Sequence, residues 1–210
     1  MSTTSAHALV VGGTGMLREV VLRLAAKGDV VSVIARDAAR LTALARDAPT
    51  RINPIAVDYS DDEGLAASLA DAINRVGPLA LAILWLRPGA PRALDTIARM
   101  ADERAGEGAA TKCRLFRILG SAAADPALHR SGNGSRFRAM EGLQYREIIL
   151  GFRIEETGSR WNTNAEIAAG VVHAVENDID GLVVGVVRPW NERPAVANAQ
   201  DAMRGGSGES

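Results

Sequence analysis

Apolar positions along this chain alternate between two spacings. Leu9, Val10 and Val11 form an unbroken run suited to a strand buried on both faces of a parallel sheet. Directly after it, Met16, Leu17, Val20, Val21, Leu24 and Ala25 recur at helical spacing, a stripe able to pack back onto that sheet. Lys27 and Gly28 close the helix as a basic residue and a C-cap glycine. The change of period then repeats. Strands are expected at 29–35, 52–57, 79–85, 113–119, 145–152 and 182–187. Helices are expected at 38–46, from residue 61 or 62 until Gly77 and Pro78 end it, around Leu94 to Ala101, and from Thr163 onward. Thr163 and Glu166 have the spacing of a capping box, with Ile167, Val171, Ala174 and Val175 facing inward. The stretch up to Trp161 reads as irregular and 105–111 as an exposed loop. Residues 125–135 read as a loop that is either a substrate lid or a plain surface excursion. The pattern predicts an α/β protein with a doubly wound Rossmann-type fold, a mostly parallel six- to seven-stranded sheet carrying helices on both faces. It is expected to be a single domain over 1–196, with a small, polar, disordered tail at 197–210.

Composition narrows the functional classes. The chain has 210 residues, 47% of them hydrophobic, enough for one substantial core. A formal net charge of −1 leaves no electrostatic footprint for nucleic acid. The longest apolar run, Leu79 to Leu86, is far below the roughly twenty residues of a membrane span. The polar start, Met1 to His7, lacks the basic and apolar regions of an export signal, so a cytoplasmic location is expected. Cys113 is the sole cysteine and His7, His129 and His173 are scattered, which argues against a disulfide framework and against a metal site. Cys113 is expected to be a buried strand residue.

Candidate chemistry concentrates between the first strand and first helix. Gly12, Gly13 and Gly15 lack a Cβ, so the backbone there can turn sharply and bring its amides against phosphate oxygens, with Thr14, Met16 and Leu17 completing the cradle. Tight turns use glycine whether or not anything binds. Here, however, strand, glycines, helix and second strand arrive within about thirty residues, the length of a dinucleotide-binding βαβ unit.

In these residues the chain resembles the atypical branch of the short-chain dehydrogenase/reductase superfamily. Val10 to Gly15 is similar to that family's glycine-rich loop, which usually carries a further glycine where this chain has Arg18. Either the first helix stands off slightly or Arg18 points toward the cofactor phosphates. At the tip of the second strand, NAD-selective members place an acidic residue. Arg36 stands there instead, with Arg40 a turn further on, which implies NADP(H); the alternative is a solvated arginine beside Asp37. Asp58 and Tyr59 resemble the pair that meets the adenine ring, although Asp58 could equally start a turn.

The resemblance also supplies candidate catalytic residues. Ser121 matches the family's serine after the fifth strand, and Tyr145 is the candidate tyrosine. Tyr145 is followed four residues on by Ile149, however, where the family has the lysine that lowers the tyrosine's pKa, and the only lysines are Lys27 and Lys112. Trp85 and His129 are further candidates for lining the pocket, shaped by loops at 87–93 and 122–144. The expected function is an NADPH-dependent reductase acting on a small carbonyl, quinone, flavin or imine-like acceptor. The alternative is a non-catalytic NADP(H) sensor resembling the NmrA-type regulators, and a third reading is a structural paralogue that has lost the ligand. A homodimer is expected by fold-level analogy.

Overall fold

The computed structural model describes residues 5–87, 91–105, 112–124 and 134–194. The expected features at 197–210, His129, most of the candidate lid and the loop after Ala105 lie outside the described residues. The chain runs β1 (His7–Val11), α1 (Arg18–Ala26), β2 (Val30–Ala35), α2 (Ala38–Asp47), β3 (Ile52–Ala56), α3 (Asp62–Val76), β4 (Leu79–Trp85) and α4 (Pro91–Ala105). It continues with β5 (Cys113–Gly120), a 3-10 turn at Ser121–Ala124, α5 (Ser135–Arg138), β6 (Leu143–Leu150), β7 (Phe152–Glu155), β8 (Gly158–Trp161), α6 (Asn164–Glu176) and β9 (Gly181–Val184).

Seven strands form one sheet in the order β3-β2-β1-β4-β5-β6-β9, and every pairing in it is parallel. The order reverses between β1 and β4, so the sheet is doubly wound. All five residues of β1 are buried because it lies between β2 and β4 with helices over both faces. Alternation of side chains divides its contacts. Ala8 and Val10 join a core with α1, α2 and α6, while Leu9 and Val11 join one with α3, α4 and α5. Burial of Leu9, Val10 and Val11 alone is worth about 1.5–3 kcal/mol per side chain.

Local chemistry fixes the helix ends. Asp37 and Asp61 cap α2 and α3 by accepting from the amides of Arg40 and Gly64 at 3.0 and 3.1 Å. At α6 the Thr163 hydroxyl accepts from Glu166 N–H at 3.2 Å, and Glu166 accepts from Thr163 N–H at 2.8 Å. Two expectations need correcting. The stretch before Trp161 is not irregular but an antiparallel hairpin, β7 with β8. The last strand stops at Val184 because Gly185 turns the chain with φ +83° and leaves no room for a side chain, a Cβ there standing 2.5 Å from the Phe152 carbonyl oxygen. No helix among the described residues is long and apolar enough to cross a membrane, and they contain no cluster of three metal-ligating side chains.

Candidate nucleotide site

The reversal in strand order opens a cleft of about 570 Å³ at the carboxyl ends of β1, β2 and β4, where open α/β sheets take their ligands. The glycine turn forms its floor. Gly12 adopts φ +91°, a left-handed conformation, and a Cβ on it would stand 3.3 Å from the Cβ of Trp85. The turn spends the amides of Gly15 and Leu17 on the Gly12 carbonyl, both at 3.4 Å, and that of Arg18 on Gly15 at 3.0 Å. Among the described residues no backbone carbonyl accepts from Thr14 or Met16. Their amides are therefore available to an anion at the start of α1, where the helix dipole adds positive potential.

The cleft is lined by Gly12, Thr14, Gly15 and Met16, by Ile34, Ala35, Arg36, Asp37 and Arg40 from β2 and the start of α2, and by Tyr59, Trp85 and Arg87. Three guanidinium groups thus converge on one concavity. Arg36 is 59% exposed and only 3.8 Å from Asp58, whereas Arg40 contacts its own cap residue, Asp37, at 3.3 Å. Both pairs are solvent-exposed and weak, so the cations remain available to a ligand. Tyr59 is fixed beside them by its hydroxyl, which accepts from Arg87 N–H at 3.3 Å.

Several expected site residues lie elsewhere. Gly13 is buried, and a Cβ on it would stand 2.8 Å from both Val21 and Val33, so its missing side chain lets α1 seat on the sheet. Leu17 is wholly buried in the core, as its place in the apolar stripe of α1 requires. Arg18 points away from the cleft and bonds Asp47 at 2.5 Å. The Asp58 carboxylate accepts from the Ser60 amide at 3.0 Å and hydroxyl at 2.7 Å, a turn contact that holds its pKa below the usual range. Of this pair, it is Tyr59, past the end of β3, that lines the cleft.

The two candidate catalytic residues are not brought together. Ser121 follows β5 at the carboxyl edge of the sheet and is 3% exposed. Tyr145 belongs to the amino-terminal half of β6, paired with Leu115, while the carboxyl end of that strand is Leu150 beside Gly120. Five residues of strand separate Tyr145 from that edge, roughly 16 Å at the usual rise. Its ring stacks on Phe137 in the core with centroids 5.3 Å apart, and its hydroxyl donates to Glu147 at 2.7 Å. Burial drives the phenol's pKa well above its ordinary value. That is opposite to what proton exchange near neutral pH requires, so Tyr145 is a core residue. Cys113 is likewise inert, its buried thiol pushed up to about 12.

Sequence reasoning overlooked Ile34, Ala35 and Asp37 as cleft residues, whereas Arg87 opens the loop at 87–93 expected to shape the pocket. Arg87 had a legible signal, since it stands just past the carboxyl end of the central strand β4.

A doubly wound parallel sheet with an amide-bearing glycine turn at its switch point is an arrangement in which open α/β sheets take ligands beyond the carboxyl ends of their strands. No family model matches the chain. No curated protein matches it either. Among solved structures, a short-chain dehydrogenase from Streptomyces avermitilis superimposes with a TM-score of 0.68 at 18% identity, over 97% of this chain and 95% of that one. A dehydrogenase/reductase from Sinorhizobium meliloti 1021 gives 0.68 at 19% identity, over 88% and 95%. A short-chain dehydrogenase/reductase from Serratia marcescens gives 0.64 at 18% identity, over 86% and 96%. The chain has the Rossmann-type fold of the short-chain dehydrogenase/reductases.

Proposed function

We propose that this protein is an oxidoreductase that binds NADPH across the switch point and reduces a small carbonyl, quinone, flavin or imine-like acceptor. The observation that carries this reading is the placement of Arg36 and Arg40 on the same cleft as the free amides of Thr14 and Met16. Two arginines at the tip of β2 suit a phosphate on the adenosine ribose, and the glycine turn suits the pyrophosphate. The residues present therefore fit the coenzyme. When bound, it supplies hydride, and this chain binds and orients the reactants. Ser121 is the polar side chain that the sheet offers nearest the carboxyl end of β5, a hydrogen-bonding group for nicotinamide or acceptor. The absence of a Tyr-Lys pair restricts the chemistry to acceptors that need little help with protonation. A cytosolic, homodimeric protein with no nucleic-acid partner accords with this role.

The test is calorimetric titration with NADP+ and NAD+, followed by NADPH oxidation against quinones, flavins, aldehydes and imines. Binding with preference for NADP+ and turnover of at least one acceptor are expected. Failure to bind either coenzyme would refute the proposal. A second reading, a non-catalytic NADP(H) sensor, is favoured by the burial of Tyr145 and by Lys27 being bound to Glu176 on the far side of α1. Tight NADP(H) binding without turnover would select it.

A further inference from the structure

Two of the chain's three tryptophans flank a single arginine on the carboxyl edge of the sheet, apart from the nucleotide cleft. The β7–β8 hairpin leaves the end of β6, and the segment after β9 returns to meet it. Phe152 and Val186 exchange backbone bonds at 2.8 Å, Asn162 donates to the carbonyls of Gly151 and Val184 at 2.9 Å each, and Ser159 donates to the carbonyl of Glu192. These ties hold the Arg193 guanidinium 5.3 Å from the Trp161 ring and 5.1 Å from the Trp190 ring, within cation–π range of both.

On the adjoining hairpin and α6, Glu155 and Glu166 are paired with Arg160 at 2.6 and 2.8 Å. Among the described residues no carboxylate pairs with Arg193, and its Nε is buried without a hydrogen-bond partner. Native structures leave few such groups unsatisfied, and those they do leave call for a specific explanation. A half-buried guanidinium with flat aromatic neighbours and an open fork is built for a planar anion, and a carboxylate matches its geometry.

We infer that Arg193, held by Trp161 and Trp190, anchors the carboxylate of a small organic acid. This deepens the reductase reading by giving the acceptor an acidic group, and its biological role rests on that reading. The full chain, R193Q and R193K are titrated by tryptophan emission and calorimetry with benzoate, succinate, their amides benzamide and succinamide, and inorganic phosphate. At least one acid should bind wild type tenfold or more tightly than its amide, and R193Q should lose at least tenfold. R193K, which keeps the charge but not the fork, should lose several-fold and decides the matter should R193Q fail to fold. Equal binding of acids and amides, no binding of either acid, equal binding by the variants, or a preference for phosphate would overturn the inference. A parallel NADP+ titration separates the two readings: if NADP+ does not bind but acids are still told from amides, the coenzyme reading falls and the carboxylate site stands.

Discussion

Replacing Gly13 by alanine tests the division of labour within the glycine turn. The added methyl would stand 2.8 Å from Val21 Cγ2, 2.8 Å from Val33 Cγ1 and 3.3 Å from Val10 Cγ1. Each of these valines is wholly buried, and each is held by a different element, α1, β2 and β1. Valine is stiff at χ1, so none can swing aside and the backbone must shift. Overpacking of this kind costs about 1–3 kcal/mol. Lower unfolded-state entropy offsets about 0.4–1 kcal/mol of that. The net loss should centre on about 1.3 kcal/mol, or roughly 3–5 °C in Tm for a chain of this size. Gly15→Ala is the control, because nothing lies within 4 Å of its Cβ. It should leave stability unchanged or raise it by about 0.4–1 kcal/mol, while weakening nucleotide binding by placing a methyl on the cradle. Urea unfolding followed by far-ultraviolet circular dichroism gives both numbers. The reasoning fails if Gly13→Ala melts with wild type, or if Gly15→Ala is the more destabilised of the two. Gly13→Ala in a Val33→Ala background should cost less than in wild type, since one obstruction is gone.

Arg36→Ala should weaken NADP+ about 10- to 100-fold in calorimetry, the equivalent of about 1.5–3 kcal/mol for a charge-assisted bond, and leave NAD+ affinity nearly unchanged. His7, 4% exposed, lies 2.7 Å from the Gly77 carbonyl and 2.8 Å from the Ser32 hydroxyl, and burial holds its pKa below 6.5. Its contribution is complete above pH 6.5 and is lost as pH falls from there to the folded pKa, because only the unfolded chain takes up the proton in that window. Urea midpoints should show this decline in wild type and lack it in His7→Gln. Tyr145→Phe should cost about 1 kcal/mol of stability through the lost bond to Glu147 and leave NADPH oxidation rates intact; a collapse in kcat would restore the phenol as a proton donor. Thr163→Ala should cost about 0.5–2 kcal/mol by opening the capping box of α6, read as a lower urea midpoint.

The strands and helices that carry the cleft were legible because each is longer than a single turn of pattern and ends in recognisable chemistry. β1 reads as continuously apolar, and Asp37, Asp61 and Thr163 announce the helices they cap. The β7–β8 hairpin was not legible for a physical reason. Its strands have four residues each, and Ile154, its one aliphatic side chain, is 47% exposed, so alternation there does not track burial. Leu17 and Tyr145 lie in the core, where their own pattern placed them. Leu17 is in the same stripe as Val21 and Leu24, and Tyr145 alternates with Leu143 on one buried face of β6. Arg18 could not be decided from sequence, since Asp47 is brought to it only by packing of α1 against α2.

Strand β1 sits mid-sheet with one neighbour from each direction along the chain, β2 soon after it and β4 beginning only at Leu79. During synthesis the β1–β2–β3 half can form early, yet the far side of β1 stays bare until β4 emerges. Such delayed, distant pairing slows assembly and leaves the nascent apolar edge open to other chains. Chaperone dependence should therefore peak while the stretch between Ala56 and Leu79 is leaving the ribosome.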